Sequence, residues 1–423
     1  MAEEQAPSPL QQKNLPTELW KGIFHRVTHV PGTNEFTTDP FAHLKFPCTI
    51  QKITANIYID ELKVILDTRL KMILVCKTWY NLGIADLYSH LWFNPTSSRS
   101  KSLHLIATNK QSLLSNVRRL TVSAPIDRLK WPDQETLLKR MQEAVAIISS
   151  LPQLRILQVS PELAVMLPLT KLASTLEVAT ISNWPGNARI PDMIYPMYAT
   201  AWESVHFLSL DVTIFHKGML KSQVNFQFVT HFALVAHHHP VQFEDMDWET
   251  LGRILGNWAF PYLRTVVIKH VDWPTMSTFC RRHSDTLQSL YLEYTIVDSA
   301  GVSDWHTKSL VLPKLQVLKL DACNDLFPYF NLEVNELRFL EFRSYRSVWS
   351  DLLRIFDIPS RSLALESCRI FGYFHRIAYG SAILLLEQPS ITSQLAALRK
   401  RGVTVEIHLY NCNTACQGEC CSS

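Results

Sequence analysis

The side chains best suited to chemistry in this chain lie close to its C-terminus, where cysteines are concentrated. These are Cys412, Cys416, Cys420 and Cys421, with His408 a short distance before them. Thiolates and imidazoles are the ligands of structural zinc, but common zinc sites pair their cysteines as C-x2-C, and this spacing does not. We therefore expect residues 412–423 to form a reduced, flexible tail, with a zinc site as the alternative.

Two further patterns could carry a modification or a metal. The last four residues, CCSS, formally satisfy the C-a-a-X pattern, which would place a farnesyl group on Cys420, but the two middle residues are not aliphatic. Three adjacent histidines at 237–239 precede Pro240, and adjacent histidines do not converge easily on one ion. We expect an exposed turn there and predict no metal site, with farnesylation left as an alternative.

Arguments for catalysis are weak. The sequence contains no G-x-S-x-G, G-x-x-x-x-G-K-[ST] or H-E-x-x-H pattern. Only 12 glycines occur, which argues against glycine-rich loops that cradle phosphates. The acidic pair Glu244-Asp245 is better explained as a solvated turn than as acid–base groups. We predict that the protein is not an enzyme and needs no cofactor, with an enzyme of unrecognised site as the remaining alternative.

The composition indicates a folded protein of two or three domains. Hydrophobic residues make up 47% of the 423 residues, and the net charge of +3 is too small to predict nucleic-acid binding. The N-terminus has no apolar signal segment, and no apolar run approaches the roughly 18 residues of a membrane helix. Nine scattered cysteines, an odd number, favour a reducing compartment. We expect a cytoplasmic or nuclear protein without membrane contact.

The elements that would position functional residues begin with amphipathic helices. Residues 1–14 are polar and predict a disordered leader. Apolar residues then recur every four positions from Leu15 to Val27, which predicts a helix of about three turns. After a stretch punctuated by proline and glycine, the pattern resumes near Ile59. It predicts a second helix through Leu62, Leu66, Leu70, Ile73, Leu74 and Trp79 and a short third one through Ile84, Leu87, Tyr88, Leu91 and Trp92.

Two motifs within these helices resemble the two ends of an F-box. The first is LPTELWKGIF at 15–24, and the second is ILVCKTWYNL at 73–82, followed by IADLYSHLW at 84–92. The resemblance covers residues 15–95 and is interrupted by an insertion at about 28–60. A similar insertion is typical of the large F-box families of mushroom-forming fungi, which carry loose leucine-rich repeats after the F-box.

The resemblance implies docking on the Skp-type linker protein of an SCF (cullin–RING) ubiquitin ligase. Such docking buries a mainly apolar helical surface with a large aromatic anchor. Trp79 could equally serve core packing, and we expect Cys76 to be a small buried hydrophobe. The residues that match the docking face of the family are Leu15, Pro16, Leu19, Ile23, Phe24, Leu70, Leu74, Val75, Cys76, Trp79 and Leu91.

After residue 100 the apolar pattern changes to short triplets of the form apolar-x-apolar. They lie at 120–122, 157–159, 208–210, 266–268, 290–292, 318–320, 340–342, 363–365 and 407–409. From 266 to 363 they recur every 22 to 28 residues, and several have a leucine three positions earlier. The pattern L-x-x-L-x-L at such a period is the strand signature of leucine-rich repeats. Helical return segments are expected at Met276–His283 and Ser347–Phe356.

The predicted fold is α/β, a small helical F-box followed by an irregular leucine-rich-repeat solenoid over residues 100–411. In such a horseshoe of short parallel strands, no repeat closes a core alone, but stacked repeats do. A generic α/β domain with short strands is the alternative to the repeats. The resemblance implies a substrate-recognition subunit, in which the F-box joins the ligase and the repeats hold a protein substrate.

Substrate contacts would come from outward-facing strand residues in neighbouring repeats. These are Tyr291, Glu293, Lys319, Asp321, Glu341 and Arg343, which could also be merely solvent-facing. The alternative function is a repeat-domain interaction scaffold that does not work in a ubiquitin ligase.

Overall fold

The structure is a computed structural model of the chain. It describes residues 16–28, 57–93, 114–122, 134–159, 175–181, 205–212, 215, 217–221, 223–236, 247–269, 271–293, 309–322, 332–344, 364–374 and 389–411. The predicted leader, most of the predicted insertion, the three adjacent histidines and the cysteine-rich tail lie outside these residues.

The described part of the chain is a mixed α/β protein with a large parallel sheet. Twelve strands form this sheet, and each lies beside the strands that precede and follow it in the list below. They are β1 (His90–Phe93), β2 (Arg119–Val122), β3 (Ile156–Val159), β4 (Val178–Ile181), β5 (Phe207–Asp211), β7 (His231–Val235), β9 (Thr265–Lys269), β10 (Ser289–Glu293), β12 (Val317–Ala322), β14 (Phe339–Ser344), β15 (Ser367–Phe374) and β16 (Thr404–Asn411).

Two small parallel sheets accompany the large one. β6 (Val224–Asn225) pairs with β8 (Trp258–Ala259), and β11 (Leu310–Val311) pairs with β13 (Leu332–Glu333). Each of these short strands leads through a tight turn into a long strand. In the turn before β12, for example, the Leu315 N–H donates to the Leu312 carbonyl at 3.2 Å. The segments that precede these neighbouring long strands are therefore paired as well.

One row of residues connects the starts of the long strands. The residue before each strand donates its N–H to the equivalent residue of the preceding strand, as in Arg264 to the Thr230 carbonyl and Gln288 to the Arg264 carbonyl, both at 2.8 Å. Comparable bonds run from Ser89 to Thr404. Since parallel strands begin at the same edge of a sheet, this row marks that edge along the described chain.

Strand alternation explains the core. The second and fourth residues of each long strand point into one layer, and Leu290 and Leu292 of β10 are completely buried there. The apolar side chains of this layer form one continuous core cluster from Leu91 to Val403. A pattern of this kind is what the apolar-x-apolar triplets predict, and eight of the nine triplets lie within strands.

Helices flank the sheet at a few places. They are α1 (Thr17–Thr28), α2 (Ile57–Ile73), α3 (Lys77–Tyr88), α4 (Gln134–Ser149), α5 (Trp248–Asn257), α6 (Trp273–Arg282) and α7 (Pro389–Lys400), with a short 3-10 helix at Lys217–Lys221. α5 and α6 each begin at an aspartate whose carboxylate accepts a backbone N–H: Asp247 from Thr250 at 2.6 Å, and Asp272 from Thr275 at 3.4 Å. Side-chain caps therefore fix where these two return helices start.

Several expectations from the sequence require correction. The second predicted helix is broken at Leu74–Cys76, because Cys76 adopts an extended backbone and caps α3. The third predicted helix ends at Tyr88, and Leu91 lies in β1 because His90–Phe93 pairs with Arg119–Val122. The triplet at 363–365 precedes its strand, which begins at Ser367. The return helix near 276–283 is confirmed as α6, whereas Ser347–Phe356 lies outside the described residues.

Candidate functional site

The three N-terminal helices pack around a cluster of aromatic rings. The Trp79 ring on α3 lies 5.0 Å from the Trp20 ring and 5.2 Å from the Phe24 ring, both on α1. Phe24 is only 2% exposed, and Ile73 at the end of α2 is also buried. Aromatic pairs at this spacing contribute beyond their buried area. We call α1, α2 and α3 the helical module; its interior is aromatic and closed.

A glycine allows α3 to approach this cluster closely. A Cβ atom built on Gly83 would lie 2.8 Å from Ile73 Cγ2 and 3.0 Å from Phe24 Cε1. Contacts this short cannot be accommodated without displacement of the neighbours. The backbone of Gly83 has an ordinary helical conformation. Glycine is therefore required here by close packing and not by an unusual backbone conformation.

The buried Arg69 attaches the helical module to the sheet. Its guanidinium donates to the Asp86 carbonyl at 2.8 Å and to Ser89 Oγ at 3.3 Å, which ties α2 to the end of α3. The Ser89 carbonyl in turn accepts the N–H groups of Arg118 and Arg119 at the start of β2. Burial lowers the pKa of Arg69, with Asp86 opposing the shift. The module is therefore continuous with the first strands of the sheet.

The outer surface of the helical module carries most of the exposed large apolar side chains of the described residues. Ten large apolar side chains in the described residues are exposed, and seven of them lie between Leu19 and Tyr80. Leu74 is 73% exposed and Val75 62% exposed, at the turn between α2 and α3. Leu19, Ile23 and Leu70 are also exposed, and all five were expected on the docking face from the sequence. We call these five side chains the apolar face; Val64 and Tyr80 are exposed additions that the motif comparison missed.

The other residues expected on the docking face have different environments. Pro16 is exposed, Trp79 is half-buried in the aromatic cluster, and Leu15 lies outside the described residues. Phe24 and Leu91 are buried inside the chain, so neither presents surface to a partner in this structure. Cys76 is exposed, which corrects the expected buried hydrophobe. Its sulfur accepts the Trp79 N–H at 3.5 Å because the residue caps α3.

The outward row of strand residues expected to contact substrate is partly enclosed. Tyr291, Lys319 and Glu341 lie side by side on β10, β12 and β14. Tyr291 and Glu341 are buried, and the Lys319 ammonium lies over the Tyr291 ring, 4.9 Å from its centre. Glu293, Asp321 and Arg343 occupy the next row of the register, but their side chains lie outside the description.

The same row continues with charges of alternating sign. Arg369 on β15 follows Glu341, and Glu406 on β16 follows Arg369. Arg369 forms an ion pair with Glu406 at 2.8 Å and lies 5.4 Å from the centre of the Phe339 ring. Sequence reasoning missed Arg369 and Glu406, since their strands are spaced irregularly along the chain. Opposite charges placed side by side pair across the sheet, so this row has no single sign to attract a charged ligand.

The two buried thiols, Cys280 on α6 and Cys368 on β15, are unreactive. Cys280 and Cys368 are buried, and burial raises the pKa of each thiol to about 12. A thiol of that pKa is almost wholly protonated near neutral pH and is a poor nucleophile or metal ligand. Both cysteines therefore behave as small core residues.

Comparisons with known proteins add no assignment. A scan against protein-family models found no match, and a search of curated proteins found no significant similarity. Within the described residues, no helix combines the length and apolar character needed to cross a membrane. The arguments about function therefore depend on the residues and their geometry.

Proposed function

We propose that this protein is a substrate-recognition subunit of an SCF-type ubiquitin ligase. In this proposal the helical module is an F-box that docks on a Skp-type linker protein, and the sheet domain holds a protein substrate. The transfer of ubiquitin belongs to the partner enzymes, and this chain contributes proximity, which makes the transfer effectively intramolecular.

The observation that carries the proposal is the apolar face. Leu74 and Val75 project from the same turn into solvent and belong to the motif ILVCKTW, which resembles part of an F-box. Exposed apolar groups of this size, clustered on one small module, are typical of a protein-docking surface. Because the interior of the module is already filled by Trp20, Phe24 and Trp79, the apolar face is not needed for its own core.

The sheet domain supports the second half of the proposal. Its strands follow one another in chain order, and the segment from Leu312 to Leu320 has buried leucines at 312, 315, 318 and 320. This is the spacing that leucine-rich repeats use for a turn and a strand. We infer an irregular leucine-rich-repeat domain in which one repeat packs on the next.

Co-expression with a Skp-type linker tests the proposal. The full chain is expected to co-purify with the linker, and the double variant Leu74→Lys/Val75→Lys is expected to lose it, because two buried ammonium groups would face an apolar partner. Val311→Lys is the matched control: Val311 is also an exposed apolar side chain, but it lies on β11, far along the chain from the helical module.

The outcomes separate the two functions that the sequence leaves open. A folded chain that does not co-purify with the linker would contradict the ligase proposal and favour an interaction scaffold. Equal loss of binding in Val311→Lys would show that the apolar face is not the contact. Circular dichroism of each variant confirms that the comparison is made between folded proteins.

A further inference from the structure

We propose that a second docking surface lies at the edge of the sheet where β7, β9 and β10 begin, and that it binds an acidic segment of a partner protein. Its members are Phe228, Tyr262, Arg264, Arg281, Arg282 and Lys314, which we call the aromatic–basic patch. The interpretation of this patch as a substrate site rests on the proposed function. Binding of an acidic segment to the patch can be tested independently of that function.

Strand register brings the two aromatic residues together. β6 pairs with β8 and β7 pairs with β9 at the same offset along the chain, so Phe228 and Tyr262 occupy equivalent positions in neighbouring repeats. Both are exposed, Phe228 at 43% and Tyr262 at 58%. With Val311 they are the only exposed large apolar residues of the described chain outside the helical module.

The base of this pair is rigid. Two residues before each exposed ring, Phe226 and Phe260 stack with their ring centres 4.7 Å apart and their planes 10° apart. Trp258 lies 5.2 Å from the Phe226 ring, and the Phe228 carbonyl is 3.1 Å from His206 Nδ1. Exposed aromatic residues held on a well-packed base lose little conformational entropy on binding, which is a property of interface hot spots.

The charges around the pair are mostly positive. Arg264 directly precedes β9, and Lys314 lies in the turn before β12. Arg281 and Arg282 end α6, which returns to the same edge, where the Gln288 N–H bonds the Arg264 carbonyl. Within the described part of the chain, none of these four cations forms an ion pair with a neighbouring carboxylate.

Among the described residues, the acidic groups nearby do not balance these cations. Asp285 lies in the turn after α6, and Glu336 lies in the turn before β14, the strand next to β12. Within this part of the chain, four cations against two carboxylates leave an excess of positive charge beside two exposed rings. An extended segment that carries carboxylates and an apolar side chain complements both features. A nucleic acid fits less well, because the whole chain has a net charge of only +3 and the carboxylates of Asp285 and Glu336 lie beside the patch.

Fluorescence anisotropy with the full chain tests the patch. The probe is a short fluorescein-labelled peptide of Asp and Glu with two Leu residues, compared with the same peptide carrying Asn and Gln. We expect the acidic peptide to bind at least about tenfold tighter and to weaken as salt is added. Phe228→Ala/Tyr262→Ala and, separately, Arg264→Glu/Arg281→Glu are each expected to weaken it at least about tenfold.

The controls make each outcome decisive. Arg399→Glu/Lys400→Glu reverses two exposed cations on α7 and is expected to leave binding unchanged. Leu74→Lys/Val75→Lys should also leave it unchanged, so failure of linker docking and failure of the patch are distinguishable. Equal binding of the acidic and neutral peptides, or binding insensitive to both patch variants, would overturn the proposal. The proposal would also be overturned if oligothymidine bound as tightly as the acidic peptide and the patch variants weakened it equally. That result would indicate a nucleic-acid surface.

Discussion

A single missing side chain sets how closely the helices of the module pack. Gly83→Ala places a Cβ 2.8 Å from Ile73 Cγ2 and 3.0 Å from Phe24, and overpacking of this kind costs about 1–3 kcal/mol. The gain in helix propensity, about 1 kcal/mol, offsets only part of that cost. We expect faster hydrogen exchange across residues 57–88 in this variant.

Gly22 on α1 is the matched control for Gly83. A Cβ added there meets no atom within 4 Å, so Gly22→Ala is expected to be neutral or stabilising by up to about 1 kcal/mol. If both variants showed the same exchange rates, the close approach at Gly83 would not be a constraint on the module.

A buried histidine makes the stability of the sheet domain depend on pH. His283 packs against Phe279 with ring centres 4.8 Å apart, and burial, aided by Arg282, lowers its pKa from 6.5 to about 4. The unfolded chain therefore takes up this proton more readily than the folded chain between these values. Stability is fully present above pH 6.5 and falls as the pH drops to 4, by about 3 kcal/mol from this group.

Urea unfolding between pH 4 and 7 checks this expectation. His283→Gln removes the titrating group, so its stability should vary less across that window than that of the parent. Some acid sensitivity is expected to persist, because burial and the neighbouring Arg119 and Arg69 also lower the pKa of His90. A His283→Gln protein whose stability varies with pH as strongly as that of the parent would contradict the role of this histidine.

The return helices depend on their caps. Asp247→Ala removes the acceptor of the Thr250 N–H at the start of α5 and is expected to cost about 1 kcal/mol. Asp247→Asn keeps an acceptor oxygen and should cost much less. Hydrogen exchange across 248–257 measures the difference, with α7 as an internal reference. Equal exchange in the two variants would contradict the capping role.

The sequence reveals strands better than it reveals their ends. Apolar pairs two positions apart identify β10, β12 and β14, because both side chains must enter the same core layer. The same pattern does not identify β4, because the small side chain of Ala179 occupies one of its two core positions. The apolar spacing through Leu91 predicts a helix, which is wrong, because pairing with β2 makes this segment a strand. In the second case, tertiary pairing overrides local preference.

Across the whole molecule, the candidate surfaces differ in how far the sequence can predict them. The apolar face is readable from the sequence, since Leu70, Leu74 and Val75 lie close together along the chain. The aromatic–basic patch is not readable, because Phe228 and Tyr262 become neighbours only through the register of β6 with β8. A surface assembled from several strands can be predicted only when the strand pairing is known.

The two surfaces suit a molecule that connects partners. The apolar face lies before β1, and Arg69 bonds link the module to the sheet through Asp86 and Ser89. If the proposed function holds, a partner at the aromatic–basic patch would keep a defined position relative to a linker protein docked on the apolar face. Such a fixed geometry is what a proximity mechanism needs.

The most direct measurement of the central claim is a calorimetric titration of a Skp-type linker into the full-length protein. The proposal predicts saturable binding at one linker per chain, of micromolar affinity or tighter, about −8 kcal/mol. It also predicts that Leu74→Lys/Val75→Lys abolishes the heat signal while the protein stays folded. A folded parent protein that gives no heat of binding, or a double variant that binds as tightly as the parent, would contradict the account.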